Sequence, residues 1–318
     1  MDALSEVLAT IQLDGAVYVN AEFTAPWCVE AQYGLHSAAC RLPNTNHIVF
    51  FHLLMEGRCF VRLLGGSEII EATAGDVLIF PHDHFHVLGT DLNLSPARVD
   101  EIIGVQSAEG LIQMRYGGGG EATKFVCGYL SCDRRMCRPL LSALPQMLRI
   151  PLGDGSADGW LADLLRLGVH ESLAQRPGAR SLLSKLFELA FVEALRRFVQ
   201  SQPPDQKSWL AGLCDPYIGR ALALLHGNPA RSWTVDDLAR EVALSRSALA
   251  ERFVELIGEP PMKYLTGLRL ALAAQALRAG PDGIAGIAER SGYLSEAAFT
   301  RAFRREFGMP PGAWRRDV

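Results

Sequence analysis

"SEAAFTRAFRREFGMPPGAWRR", residues 295–316, decides the reading of this chain, because "SRSALAERFVELIGEPPMKYLT", residues 245–266, says nearly the same thing fifty positions earlier. Ser245 matches Ser295, Phe253 matches Phe303 and Gly258 matches Gly308. Pro260 and Pro261 match Pro310 and Pro311, and Tyr264 matches Trp314. Two copies are too few for a solenoid, which needs about three stacked units to bury its faces. The pair reads as one small module used twice.

Each copy carries its own helix signals. Ser245 and Ser295 stand where a side-chain oxygen caps a helix start, and Gly258 and Gly308 suit a left-handed stop. The prolines that follow can open the next helix, whose first turn needs no amide donors. Upstream, Thr234 with Asp237 three residues on has the capping-box pattern. Short helix, turn and second helix form the helix-turn-helix plan. In the second unit Phe299, Phe303 and Phe307 recur every four residues and face inward, which leaves Glu296, Ala297, Thr300, Arg301 and Arg304 outward. In the first unit Leu249 and Phe253 face inward, and Arg246, Ser247, Ala250 and Glu251 face outward. A helix with arginines and small polar groups on its free face fits the B-DNA major groove. Two on one connector can enter successive grooves about 34 Å apart. A helical adaptor that uses the same faces on protein is the bland alternative.

The rest of the chain divides by composition. Its 318 residues leave room for two domains, and 49% hydrophobic with 21% charged residues is ordinary for a globular protein. No apolar run reaches the roughly 18–20 residues of a membrane span. The N-terminus MDALSEVLATIQLDG has acids where an export signal has basic residues, so a cytoplasmic protein is expected. Seven cysteines with no C-x-x-C pair read as reduced thiols. From Tyr217 onward 14 Lys and Arg face 11 Asp and Glu, while the remainder has 17 against 24. A basic tail on an acidic body hints at a polyanionic partner.

Residues 1–125 read as short strands with Gly-containing turns, as in a sandwich or barrel, with the tetraglycine 117–120 as a flexible loop. Residues 126–208 read as a helical connector. Within it Leu182, Leu183, Leu186, Leu189, Ala190 and Phe198 make one apolar stripe, either core or a dimer contact. SQPPDQKS, 201–208, ends that helix as a linker. Residues 209–318 read as short helices throughout. The fold class is therefore α+β: an N-terminal β-barrel, a helical connector and a C-terminal all-α domain with two helix-turn-helix motifs.

Residues 215–316 resemble the DNA-binding domain of the AraC/XylS family of transcription regulators, through LSRSALAERFVELIGEPPMKYLTGLRLALAAQAL and IAERSGYLSEAAFTRAFRREFGMPPGAWRR. The resemblance implies a sequence-specific regulator of transcription, commonly an activator, binding asymmetric half-sites. Contact with RNA polymerase is expected as well, and the apolar stripe makes a homodimer the expected assembly. Carried over position by position, the base-reading places fall on Ser247, Ala250 and Glu251 in the first helix, and on Glu296, Ala297 and Arg301 in the second. The first helix departs from the family pattern, with Ala250 and Glu251 where a basic or amide side chain is usual. Glutamate can accept from cytosine N4 but repels phosphate. Arg246 and Arg252 are the residues placed to compensate.

GDVLIFPHDHFH, with Gly75, Pro81, Asp83 and His86, has the spacing of the second cupin motif, with Asp83 in place of an inner glycine. With FHLLMEGRCFV it resembles a cupin-type sensor domain over residues 5–125, which implies a small barrel able to hold one small ligand. Two readings of its histidines stay open. His52 and His86 can line an effector pocket, or His52, His82, His84 and His86 can hold a divalent metal, with Cys59 as a softer ligand. Cys127, Cys132 and Cys137, spaced by five near Arg134, Arg135 and Arg138, raise a third option. That option is a redox switch, since positive charge lowers a thiol pKa. A metal-dependent cupin enzyme with an appended DNA-binding tail is the rival from a different class.

Overall fold

The computed structural model describes residues 3–10, 14–31, 47–102, 112–132, 134–151, 159–174, 176–202, 208–280 and 282–316. The proline break of the expected linker, 203–207, lies outside them. In chain order come α1 (Ala3–Thr10), β1 (Asp14–Thr24), β2 (Cys28–Ala31), β3 (His47–Glu56), β4 (Arg58–Leu63) and β5 (Ile69–Thr73). Then come β6 (Asp76–Phe80), β7 (His86–Gly89), β8 (Ala97–Arg98), α2 (Val99–Ile102), β9 (Ile112–Gly117) and β10 (Ala122–Cys132). They are followed by α3 (Arg134–Ser142), β11 (Leu148–Pro151), α4 (Gly159–Leu173) and α5 (Ala179–Ser201). The C-terminal helices are α6 (Trp209–Cys214), α7 (Ile218–Gly227), α8 (Val235–Glu241), α9 (Arg246–Ile257) and α10 (Pro261–Ala279). α11 (Ile284–Arg290), α12 (Glu296–Phe307) and α13 (Pro311–Arg316) complete them.

Two compact units result, and they do not follow chain order. One comprises 13–132 and 144–200; the other joins 1–12 and 133–143 to 201–318. In the first, a six-stranded sheet runs β11-β6-β3-β10-β1-β9 and a five-stranded sheet runs β5-β4-β7-β2-β8. Apart from β1–β9 and β2–β8, the paired strands are antiparallel. The strand β3 is apolar on both faces because both are covered. Ile48, Phe50 and Leu54 point into the core between the sheets. On the other face Phe51 stacks on Phe187 of α5, with centroids 4.0 Å apart.

The seat of α5 uses Leu183, Leu186, Phe187, Ala190, Phe191, Ala194 and Leu195, all buried. Leu182 and Leu189, expected in the same stripe, stay 45% and 40% exposed. The covered face is narrower than the sequence stripe because the sheet and Gly168 of α4 take only one side. A Cβ on Gly168 would lie 2.6 Å from Leu186 Cδ1. The tetraglycine also differs from expectation. Gly118 and Gly120 donate to the Thr24 and Ala25 carbonyls at 2.8 Å, and Gly119 donates to Thr24 Oγ1 at 2.9 Å. A Cβ at Gly117 would fall 2.0 Å from Thr24 O. Close backbone approach, rather than flexibility, requires these glycines.

In the second unit α1 packs on α6 and α7 through the buried Ala3 and Val7, and α3 packs on α6 and α10. The helices α8–α9 and α11–α12 form the two helix-turn-helix motifs, bridged by α10. Thr234 and Asp237 close a reciprocal capping box at α8. Ser245 and Ser295 accept from Ala248 N and Ala298 N, each at 3.2 Å. Gly258 and Gly308 end their helices at φ 85° and 77°. Phe299, Phe303, Phe307 and Trp314 fill the second motif's core.

Candidate nucleic-acid interface and sensor core

Capped alike and stopped alike, α9 and α12 present their free faces outward. Ser247 and Glu251 on the first are exposed and Ala250 is half-buried; Glu296, Ala297, Arg301 and Arg304 on the second are exposed and Thr300 is half-buried. Their charges are in different states. Arg246 is paired with Asp236 at 3.3 Å. Arg252 is held by Asp215, whose other carboxylate oxygen accepts from the amides of Tyr217 and Ile218 at the start of α7. Those bonds and the Arg252 guanidinium hold Asp215 below the ordinary carboxylate range, against burial, the largest single influence, which raises it. Arg301 and Arg304 form no ion pair among the described residues. Of the arginines named on the two helices, those without an acid partner among the described residues are on α12, and both arginines expected to compensate on α9 are engaged with acids.

The turns of the two motifs differ by one residue. Leu244 N donates to Ala239 O and Tyr293 N donates to Ala288 O, each at 3.0 Å, so these two residues are counterparts at an offset of 49. The recognition helices, from Ser245 and Ser295 on, are offset by fifty. Leu294 is the additional residue. Sequence matching from Ser245 onward could not find it, because the difference lies just upstream of the matched segment.

In the core of the two-sheet unit, His52 of β3 and His86 of β7 meet, Nε2 to Nε2 at 2.7 Å. Both are buried. His86 stacks on Phe80 at 3.6 Å and its Nδ1 lies 3.0 Å from His84 O. Burial pushes His86 down to about 4 and, with the neighbouring His86, pushes His52 well below 6.5, so both rings are neutral. The tautomers follow from the acceptors. The carbonyl of His84 can only accept, so His86 carries its proton on Nδ1 and accepts at Nε2 from His52 Nε2–H. His52 Nδ1 is then a bare lone pair, and it has no hydrogen-bond partner among the described residues.

The other proposed sensor residues do not join this pair. His82 Nε2 bonds to Leu144 O at 3.1 Å, and its ring lies 5.6 Å from that of His84. No group of three or more His, Cys, Asp or Glu that could hold a metal ion forms among the described residues. Asp83, at the position where the cupin pattern has glycine, takes the left-handed conformation at φ 56°, which Asp tolerates better than most residues. Burial raises its carboxyl to about 6. Cys127, Cys132 and Cys137 are buried. Burial raises Cys127, and raises Cys59 to about 12, which suppresses the thiolate. Cys127 and Cys132 lie five residues apart along β10, roughly 17 Å, too far for a disulfide.

A two-sheet core carrying a neutral histidine pair is joined in one chain to two helix-turn-helix motifs, the make-up of a DNA-binding regulator. Comparisons agree: a cupin family model matches residues 2–200 and a helix-turn-helix domain model matches residues 238–317. The chain belongs to the AraC-like transcription regulators. It is 32% identical to an AraC-like transcription regulator of Streptomyces lividans over 99% of this chain and 98% of that one. It is 29% identical to the transcriptional regulator AlkR of Acinetobacter baylyi over the full length of both. The solved AraC-type DNA-binding domain of a Chromobacterium violaceum regulator is 31% identical, covers 32% of this chain and 90% of that one, and has a TM-score of 0.31. No helix among the described residues is long and apolar enough to cross a membrane.

Proposed function

We propose that this regulator reads two successive major-groove segments through α9 and α12, and that it responds to a small molecule received in its cupin domain. The observation that carries the DNA reading is the paired geometry of those helices, with identical caps and with unpaired Arg301 and Arg304 on one of them. Specific affinity is expected to come mainly from α12, with Glu251 and Ala250 of α9 adding base preference rather than phosphate attraction. Selection of binding sites from random duplexes tests this. An asymmetric site spanning about one helical turn between two preferred segments supports it, and a single short segment overturns it.

The sensor reading rests on His52 Nδ1, a buried acceptor that a donor group on a small effector would satisfy. Isothermal titration of His52→Leu and wild-type protein against candidate effectors tests it, and equal binding by both refutes it. Self-association is proposed through α4 and α5, where Trp160, Leu164, Leu167, Leu182 and Leu189 are exposed on consecutive helices of one unit. A second copy of the chain is the occupant that would cover them in a cytoplasmic dimer. Contact with RNA polymerase completes the proposed role.

A further inference from the structure

Leu294 is the one residue that the second turn has and the first lacks, and it is 102% exposed. Its neighbour already performs the packing that the turn needs. Tyr293 takes the place of Leu244, bonds to Ala288 O and sets its ring edge-on to Phe299 at 5.4 Å. Leu294 is therefore free of any structural duty, directly before the capping Ser295. Leu294 thus presents an exposed apolar side chain directly before the N-cap of α12, whose first turns carry the exposed Ala297 and Arg301. The N-terminal end of a recognition helix is the part that meets base edges. The apolar feature on those edges is the thymine 5-methyl group.

We propose that Leu294, with Ala297 beside it, reads a thymine methyl in the major groove and so sets base preference in the segment that α12 enters. The inference rests on the DNA-binding reading above. It makes the second module's extra residue a specificity determinant, placed on the N-terminal side of the guanine contact expected of Arg301.

The test replaces thymidine by deoxyuridine, one position at a time, across the selected site of the full-length protein. This removes a methyl and leaves every hydrogen-bonding group and phosphate in place. Wild-type protein is expected to lose about four-fold in affinity at one position next to the guanine. Leu294→Ala is expected to bind the thymidine and deoxyuridine versions alike, with an unchanged salt slope. Three outcomes overturn the proposal: no deoxyuridine position weakens wild-type binding, wild type and Leu294→Ala lose equally, or the selected site holds no thymine there. In all three the protein still binds duplex in a salt-dependent way and the DNA reading stands. Absence of salt-dependent binding by wild type would instead remove both.

Discussion

His226 and Tyr264 meet between α7 and α10, with Nε2 2.8 Å from the phenolic oxygen. Tyr264 also stands edge-on to Phe253, centroids 5.8 Å apart at 72°, as Trp314 stands edge-on to Phe303 at 6.0 Å and 75°. Burial pushes His226 down to about 4 and raises Tyr264, so both are neutral at pH 7.

That pair makes the helical unit acid-sensitive. An unfolded histidine titrates near 6.5, so between about pH 6.5 and 4 the unfolded chain binds a proton that folded His226 refuses. The stability is full above 6.5 and falls with pH toward 4. By pH 5 the loss is up to about 2 kcal/mol. Urea unfolding at pH 7 and pH 5 should therefore show a smaller pH dependence for His226→Gln than for wild type. Equal dependence would place the titration elsewhere.

The N-terminal helix belongs to the stability of the same unit. Val7 is buried where α1 packs on α6 and α7. Val7→Asp places a charge against that face and should cost about 2–4 kcal/mol. Loss of DNA binding at 37 °C but not at 15 °C would fit that cost. A variant as stable as wild type would mean α1 is dispensable.

Much of the second unit was legible in the sequence because its signals are local. Ser245, Ser295, Gly258, Gly308 and the Thr234–Asp237 box each act within four residues, and each stands in the structure as read. What the sequence hid is non-local. His52 and His86 were named together from the cupin spacing, but their direct bond at 2.7 Å depends on two sheets bringing β3 and β7 face to face. The helices α1 and α3 join the C-terminal helices through packing that no motif announces. The exposed Leu182 and Leu189 look like the buried Leu183 and Leu186 in any hydropathy pattern, and only the width of the covered face separates them.

That separation sharpens the test of self-association. Leu186 is seated beside Gly168 inside its own unit, so Leu186→Glu should destabilise the fold by several kcal/mol rather than report on assembly. Leu182→Asp with Leu189→Asp changes only exposed positions. Sedimentation should show the double variant at half the wild-type mass with an unchanged melting temperature. A wild-type protein that is monomeric at micromolar concentration would refute the dimer face.

The arginines of the two recognition helices should respond differently to removal. Arg301 lies on the face of α12 opposite the buried Phe299 and Phe303, with no acid partner among the described residues. Placed there, it can give both donors of its fork to guanine O6 and N7, worth about 1–3 kcal/mol of discrimination. Arg304 is nearer the helix end and suits phosphate, which carries no sequence information. Arg301→Ala should therefore relax preference at one base pair. Arg304→Ala should weaken all sites alike and lower the salt slope by about one. Arg252 supplies the contrast. Its charge is committed to Asp215, which also accepts from the Tyr217 and Ile218 amides at the start of α7, so Arg252→Ala should lower the melting temperature while leaving the salt slope within error. Binding of the three variants to one selected site and its single-base changes, at three salt concentrations, separates these roles. If Arg301→Ala weakens every sequence equally, Arg301 is a backbone contact and the reading face of α12 must be turned toward Thr300 and Glu296.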